Sequence, residues 1–350
     1  MLLSRSLRLC RFLLPRRSSL LLLILLAGLF LILSLTGQLE ESLSRLLPLF
    51  YSSPSHPNSY SFFRHGLPSF LISPSNACSQ APFLLILVSS APSHRDRRDA
   101  IRQTWGSPST SAASNSLTLF VLAISNSEKE NEAVVHEAEL HRDIVQVAFA
   151  DTYRNLTLKT LAGLAWGLQK CQSARFILKT DDDVFVNTPS LSKFLSGQDG
   201  LQYLGRIHWH VGPIRDPESR HYTSRDVYPG GYFPPYCSGT GYVLSRGAAV
   251  LMLQKLKRGP LLSLEDVYVG ILAQAAGVAP RHIAKIAGSR ALPHKGCCYR
   301  TMFTSHGVPP KRMVEAWIMR EMAEEAWCPL AMVQCLAFGK LVENWGFGVL

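Results

Sequence analysis

From Ser18 to Thr36 the chain runs for 19 residues without a charge, and Leu and Ile dominate the run. A helix of that composition has no polar face to turn toward water, so it is not an ordinary surface helix of a soluble domain. A helix needs about 20 apolar residues to cross the hydrocarbon core of a bilayer. Arg5, Arg8, Arg11, Arg16 and Arg17 stand before the run, and no acidic residue occurs until Glu40. Under the positive-inside rule that end stays in the cytosol, and everything after Thr36 lies across the membrane. A cleaved signal peptide is the competing reading, but its apolar core is typically about 7–15 residues, shorter than this run. The expectation is a cytoplasmic tail over 1–17, a transmembrane signal anchor over 18–36 and a single-pass type II topology.

This topology settles what the net charge of +11 means. The five leading arginines carry nearly half of it and leave about +6 for the rest of the chain. A basic chain invites a nucleic-acid partner, but a domain across the membrane meets none, so that class is excluded. Residues 37–79 interleave Pro48, Pro54, Pro57, Pro68 and Pro74 with many serines, which reads as an extended stem. Residues 80–350 are then one luminal catalytic domain. Seven of the eight cysteines follow the anchor. An oxidising lumen permits disulfides, and an odd number leaves at least one cysteine free or paired between chains. Adjacent Cys297 and Cys298 are expected to pair with different distant partners, and the absence of a C-x-x-C spacing argues against a zinc ribbon.

Within that domain, short apolar runs alternate with helical patterns. Phe83–Val88, Leu117–Ala123, Ile144–Phe149 and Arg175–Thr180 read as strands. Helices are expected over Arg95–Trp105, from Ser127 to His141 with Glu130 as a capping-box partner, and over Asn155–Cys171. Such alternation predicts an α/β fold with a mostly parallel sheet flanked by helices. Ligands in such sheets bind at the carboxyl ends of strands.

The chemistry-bearing residues cluster at such an end. Asp181-Asp182-Asp183 follow the last of these strands directly. Three adjacent carboxylates repel each other, and a hard divalent cation with a diphosphate is what such a cluster can hold. The bland alternative is a solvated acidic turn. Glu265-Asp266 open an apparent helix, Val267–Ala276; they either favour the helix dipole or supply a general base. Arg98 and Arg102 lie one turn apart and can pair with phosphate oxygens in fork geometry, although a solvated face is the commoner reason for such a pair. The aromatic and glycine-rich stretch Phe233–Tyr242 suits a sugar ring and close backbone approach, or is simply a turn feeding a strand at Tyr242–Leu244. His306 is a lone histidine, and most of these bind no metal. Asn155-Leu156-Thr157 is an N-glycosylation pattern, although Asn155 at a helix start can merely cap.

Taken together, several stretches resemble the β-1,3-glycosyltransferase family in the family's own order. They are Arg98–Trp105, Phe149–Thr160, Lys179–Asn187, Pro234–Tyr242 and Glu265–Gly270. The resemblance runs from about Pro82 to Trp327. Finer details, Tyr203–Trp209, Pro260–Leu264 and Gly296–Tyr299, look like its ganglioside-acting galactosyltransferases. The resemblance implies a GT-A-type, Rossmann-like fold, UDP-galactose as donor and Mn2+ as cofactor. By similarity Asp183 and His306 are the metal ligands. Asp181 and Asp182, with Arg98 and Arg102, bind the donor, and Asp266 is the base of an inverting transfer. Tyr236 and Trp209 are the acceptor-side candidates. The implied reaction is β-1,3 transfer of galactose to a terminal N-acetylhexosamine of a glycolipid or glycoprotein acceptor, in the Golgi membrane. An N-acetylglucosaminyl donor, or a noncatalytic glycan-binding or chaperone relative, are the alternatives. A noncatalytic relative is expected to lose the aspartates, and here they are present.

Overall fold

The computed structural model describes residues 14–52, 68–256, 261–289, 291–323, 328 and 334–336. The leading arginines up to Arg11, Cys10, the middle of the stem and most of residues 324–350 fall outside the described residues.

The apolar run is helical, α1 at Leu14–Leu35, and α2 follows at Gln38–Ser44. The leucines, isoleucines and phenylalanine from Leu20 to Ile32 are 52–69% exposed. No single helix among the described residues is long and apolar enough to cross a membrane by itself. Ser19–Leu35 and Gln38–Ser44 meet that measure together, as a pair bent by 79°.

The elements then run β1 (Phe70–Ile72), β2 (Leu84–Ser89), α3 (Arg95–Gln103), α4 (Pro108–Ser114), β3 (Ser116–Ile124), α5 (Glu128–His141) and β4 (Ile144–Ala150). Next come α6 (Leu156–Lys170), β5 (Phe176–Asp181), β6 (Phe185–Val186), α7 (Thr188–Ser196), β7 (Tyr203–His208) and β8 (Tyr236–Ser245). The last are α8 (Arg246–Leu253), α9 (Glu265–Ala275), β9 (Arg281–His282), α10 (Gly296–Thr301), β10 (Thr304–Ser305) and α11 (Pro310–Met322).

Eight strands form one sheet in the order β1-β4-β3-β2-β5-β8-β7-β9. The block β4-β3-β2-β5 is parallel throughout. Beyond it β8 runs antiparallel to both β5 and β7, and β1 runs antiparallel to β4, so the sheet is mixed. Six of the eight strands still run one way, since β7 again follows the direction of β5 and β9 is parallel to β7, so the sheet is mostly parallel as expected, with β1 and β8 the exceptions. The aromatic and glycine-rich stretch does not merely lead into a strand at Tyr242, because the ladder already pairs Tyr236 and Cys237 with β7. The β2 run explains the layering. Leu85 and Leu87 face a core with α6, α8 and α9, while Leu84, Ile86 and Val88 face one with α3, α5, α7 and α11. All five are 0–3% exposed, and burying such a side chain contributes roughly 1.5–3 kcal/mol.

Parts of the stem belong to the domain. Phe70–Ile72 add an edge strand to the sheet, and Cys78 is joined to Cys171 at the end of α6. Paired backbone and a covalent tie hold this part against the domain rather than leaving it extended. Cys297 and Cys298 do take separate partners, Cys328 and Cys335, and Cys237 is free and buried.

Candidate active site

β5 ends at Asp181 on the carboxyl side of the parallel block, and the acidic triplet turns away from it there. The three aspartates have three different surroundings. Asp181 lines an open cleft of about 450 Å³. Asp182 turns inward, 5% exposed. It accepts hydrogen bonds from Ser90 Oγ at 2.8 Å and Arg97 Nη1 at 2.9 Å, and its Oδ2 lies 2.8 Å from His94 Nδ1. Burial opposes ionisation, but the His94 and Ser90 hydrogen bonds and the nearby charge of Arg97 hold its carboxyl below the usual range. Asp182 is thus a buried strut rather than a donor-binding group, which corrects that expectation. Asp183 faces His306, with Oδ1 3.5 Å from Nε2.

The two-stranded ribbon of β6 and β10 creates that last pairing. It aligns Thr304 with Val186 and Ser305 with Phe185, so the residue after β10 meets the residues before β6. The Val308 amide donates to the Asp183 carbonyl at 2.8 Å and locks the return. His306 Nδ1 lies 2.6 Å from the Ser289 carbonyl. A carbonyl only accepts, so Nδ1 donates to it, and Nε2 is the ring nitrogen turned toward Asp183. Burial and the neighbouring Asp181 and Asp182 charges push Asp183 up, although His306 and Arg97 pull the other way. The described residues hold no ready-made cage of three or more His, Cys, Asp or Glu side chains. One carboxylate and one imidazole beside excess negative charge do fit a divalent cation that takes its remaining ligands from a diphosphate.

Across the cleft stands the second acidic pair, at the start of α9. Glu265 is 4% exposed and both its oxygens are engaged. Oε1 accepts from the Tyr242 hydroxyl at 2.6 Å, and Oε2 accepts from Lys179 Nζ at 3.1 Å. Lys179 also donates to Asp181 at 2.9 Å and to the Gly239 carbonyl at 2.7 Å. A fully buried lysine therefore joins the two acidic segments. Its charge is held beyond the ordinary lysine range, because Asp181 and Glu265 outweigh its burial. Asp266 is half-buried and lines the cleft. The Gly239 amide donates to its Oδ2 at 3.1 Å and the Val267 amide to its Oδ1 at 2.9 Å. A Cβ at position 239 would lie 3.0 Å from Glu265 Oε2, tight enough to push that carboxylate off its lysine, so glycine suits the close approach of β8 to α9.

Burial pushes Glu265 up to about 7 from an ordinary 4.5, despite the attraction of Lys179. The folded chain therefore keeps a proton that the unfolded chain has already released, and folding weakens as pH rises through that window. Glu265→Gln is expected to flatten the fall in urea midpoint between about pH 5 and pH 7.5. An unchanged slope would assign the proton to another group.

Arg98 and Arg102 are not at the cleft, which corrects the phosphate-clamp expectation. Arg98 is 0% exposed and forks onto Glu137, with both contacts at 2.7 Å. Its remaining donors go to Ser90 Oγ and to the Ala91 and Pro92 carbonyls. Arg102 forks onto Asp143 and also bonds Asp99 and Glu137. Tyr236 lines the cleft, tilted against His208 with ring centroids 5.1 Å apart. Trp209, at the end of β7, is 37% exposed and is not part of the cleft lining. Asn155 makes no side-chain cap; its Nδ2 donates to the Ala150 carbonyl.

The sequence reading missed Lys179, Arg97 and a rim formed by Tyr153, Arg220 and His221. At this rim the Tyr153 hydroxyl lies 3.1 Å from His221 Nδ1, and Arg220 Nε donates to His221 Nε2 at 2.9 Å. A signal did exist for Lys179, since a charge inside an apolar strand must find a partner. No local signal marks the rim.

The Galactosyltransferase family model matches residues 96–284. Mouse β-1,3-galactosyltransferase 4 is 43% identical over 316 residues, covering 81% of this chain and 84% of that protein. Human β-1,3-galactosyltransferase 4 is 40% identical over 339 residues, covering 84% and 89%. Human β-1,3-galactosyltransferase 9 is 36% identical over 265 residues, covering 75% and 71%.

Proposed function

The chain belongs to the galactosyltransferase family, and from that premise we propose an inverting transfer of galactose from UDP-galactose in β-1,3 linkage. It is a hexosyltransferase. The fold it uses is read as the GT-A type, and the acceptor as a terminal N-acetylhexosamine, best represented by the N-acetylgalactosamine of ganglio-series glycolipids. The chain is read as a single-pass type II protein of the Golgi membrane with the catalytic domain in the lumen. The observation that carries the mechanism is the division of labour within the acidic pair. Both residues line the cleft, but Glu265 has its two oxygens committed to Tyr242 and Lys179, whereas Asp266 is the more exposed and accepts from backbone amides.

In the proposed reaction the acceptor 3-hydroxyl oxygen forms a bond to the anomeric carbon, and the bond from that carbon to the β-phosphate oxygen breaks. Asp266 takes the hydroxyl proton, and UDP leaves with the bonding pair. One base and no covalent enzyme nucleophile suffice for inversion. The transition state is oxocarbenium-like, as in glycoside hydrolysis. The Gly239 and Val267 amides fix the orientation of the base. Lys179 keeps Asp181, at the end of β5, at a set separation from the Glu265 end of α9. Tyr236 offers the acceptor sugar an aromatic face within the cleft. Asp183 and His306 would hold Mn2+, which when bound supplies positive charge against the departing diphosphate.

The test is a panel of glycolipid and glycoprotein acceptors with UDP-galactose or UDP-N-acetylglucosamine, with and without manganese. Galactose transfer to a terminal N-acetylhexosamine is expected, and preferential use of the other donor would overturn the donor assignment. Asp183→Ala is expected to weaken manganese-dependent UDP binding by about tenfold or more, read by titrating manganese at fixed UDP. Unchanged manganese dependence would remove Asp183 from the metal site.

A further inference from the structure

The segment Gln38–Phe50, the short helix α2 and the turn that follows it, has two sides with opposite characters. One side is fastened to the domain. Ser44, 1% exposed, accepts a hydrogen bond from the His282 amide of β9 at 2.9 Å. The Glu41 carboxylate accepts from the Ala284 amide at 3.3 Å. Gly37 precedes α2 in the left-handed region at φ 74°, and a Cβ there would stand 3.2 Å from the Ala284 Cβ. β9 is the last strand of the sheet, and α2 occupies amides along its outer margin. Leu47, just after α2, packs against the core.

The other side is apolar and open. Leu43, Leu46, Leu49 and Phe50 are 51%, 52%, 79% and 82% exposed. They lie at and beyond the end of α2, and the 79° bend between Ser19–Leu35 and Gln38–Ser44 sets α2 across the axis of α1. If α1 stands along a membrane normal, α2 lies nearly in the membrane plane. An in-plane segment whose outward side chains include several apolar ones seats at the headgroup boundary. Arg45, exposed among these residues, has the reach to place its guanidinium at phosphate depth.

We propose that Gln38–Phe50 is a membrane-surface plate. It is bound to the sheet edge on one side and to the lipid headgroup boundary on the other, and it holds the catalytic domain against the bilayer in one orientation. The occupant of the apolar face is the bilayer that takes α1. β9 pairs with β7, and β7 ends at His208 in the cleft lining, so the plate is one strand away from a wall of the active site. An acceptor carried by a lipid would then meet a cleft held at fixed height rather than one swinging on a loose tether. This inference rests on the membrane-anchor reading of residues 18–36.

The test uses the full chain in phosphatidylcholine vesicles. Cys10→Ser removes a reactive thiol, and an environment-sensitive fluorophore is placed singly at Leu46→Cys, Leu49→Cys or Phe50→Cys. Asp199→Cys, whose side chain is 90% exposed, is the control. A lipid carrying a shallow nitroxide is expected to quench the three plate positions several-fold more than position 199, with iodide in water showing the reverse order. Iodide quenching at 46, 49 and 50 equal to that at 199, in protein that stays with the vesicles through carbonate washing, would overturn the plate and leave the anchor intact. Release of the chain by carbonate would instead overturn the anchor reading, and the plate with it.

Discussion

Asp266→Asn is expected to lower turnover by about 10²–10⁴-fold, the range a positioned general base contributes, while leaving UDP affinity within about twofold. The argument is one of position. Of the two carboxylates that open α9, Glu265 is enclosed by Tyr242 and Lys179, and a base must reach the proton it removes. Asp266 faces the cleft with its two oxygens steadied by backbone amides. An asparagine keeps the size and one acceptor oxygen, so it removes the base with little change in packing. Single-turnover rates at saturating donor and acceptor report the chemical step, and calorimetric UDP titration with manganese reports binding. Turnover close to that of the unaltered chain would remove Asp266 from the role. A loss confined to UDP affinity would make it a binding residue.

Arg98→Met is expected to destabilise the fold by about 3–5 kcal/mol, the cost of breaking a buried ion pair from one side. Glu137 is 1% exposed and is held below the ordinary carboxylate range: burial opposes ionisation, but Arg98 and then Arg102 more than offset it. Methionine fills much of the arginine stem but returns none of its hydrogen bonds. Arg98 also donates to Ser90, whose hydroxyl in turn donates to Asp182. The arginine therefore supports the acidic turn from below without touching a ligand. Urea unfolding is expected to show a much lower midpoint, with UDP affinity of the remaining folded protein nearly unchanged. A normal midpoint with lost UDP affinity would restore the phosphate-clamp reading.

These two residues show what the sequence makes legible and what it does not. β2 is readable because an unbroken apolar run of six residues, Phe83–Val88, has few uses besides a buried strand, and β5 because Phe176–Leu178 repeat that signal at the spacing of an alternating fold. Asp181–Asp183 are readable as a site because three adjacent carboxylates at a strand end repel each other and call for positive charge, although the sequence does not show that Asp182 meets it inside the fold. The base candidate and the Asp183–His306 pairing came from ordered motifs rather than from periodicity, and the β6–β10 ribbon supplies the geometry behind the second of these. The arginines were misread for a physical reason. Spacing on a helix tells which side chains share a face, but not whether that face meets a ligand or a carboxylate 39 residues further along the chain, as Arg98 meets Glu137. Mixed strand direction was hidden in the same way, since antiparallel β8 follows a long irregular connection with no hairpin signal.

The neighbouring cysteines of α10 carry a consequence for how the chain matures. Cys297 and Cys298 close loops with sequence separations of 31 and 37. Exchanging their partners would close loops of almost the same size, and closure entropy varies only with the logarithm of loop length. Chain statistics therefore give an oxidising chain almost no preference between the native pairing and its exchanged isomer. The preference comes from packing, because Cys298 and Cys335 sit in a small apolar cluster with Met302 and Leu336. Correct pairing at this end thus becomes favoured only once that cluster has formed. Until then thiol–disulfide exchange has two nearly degenerate products to sort, and the supply of a reshuffling catalyst governs how much of the chain reaches its working form.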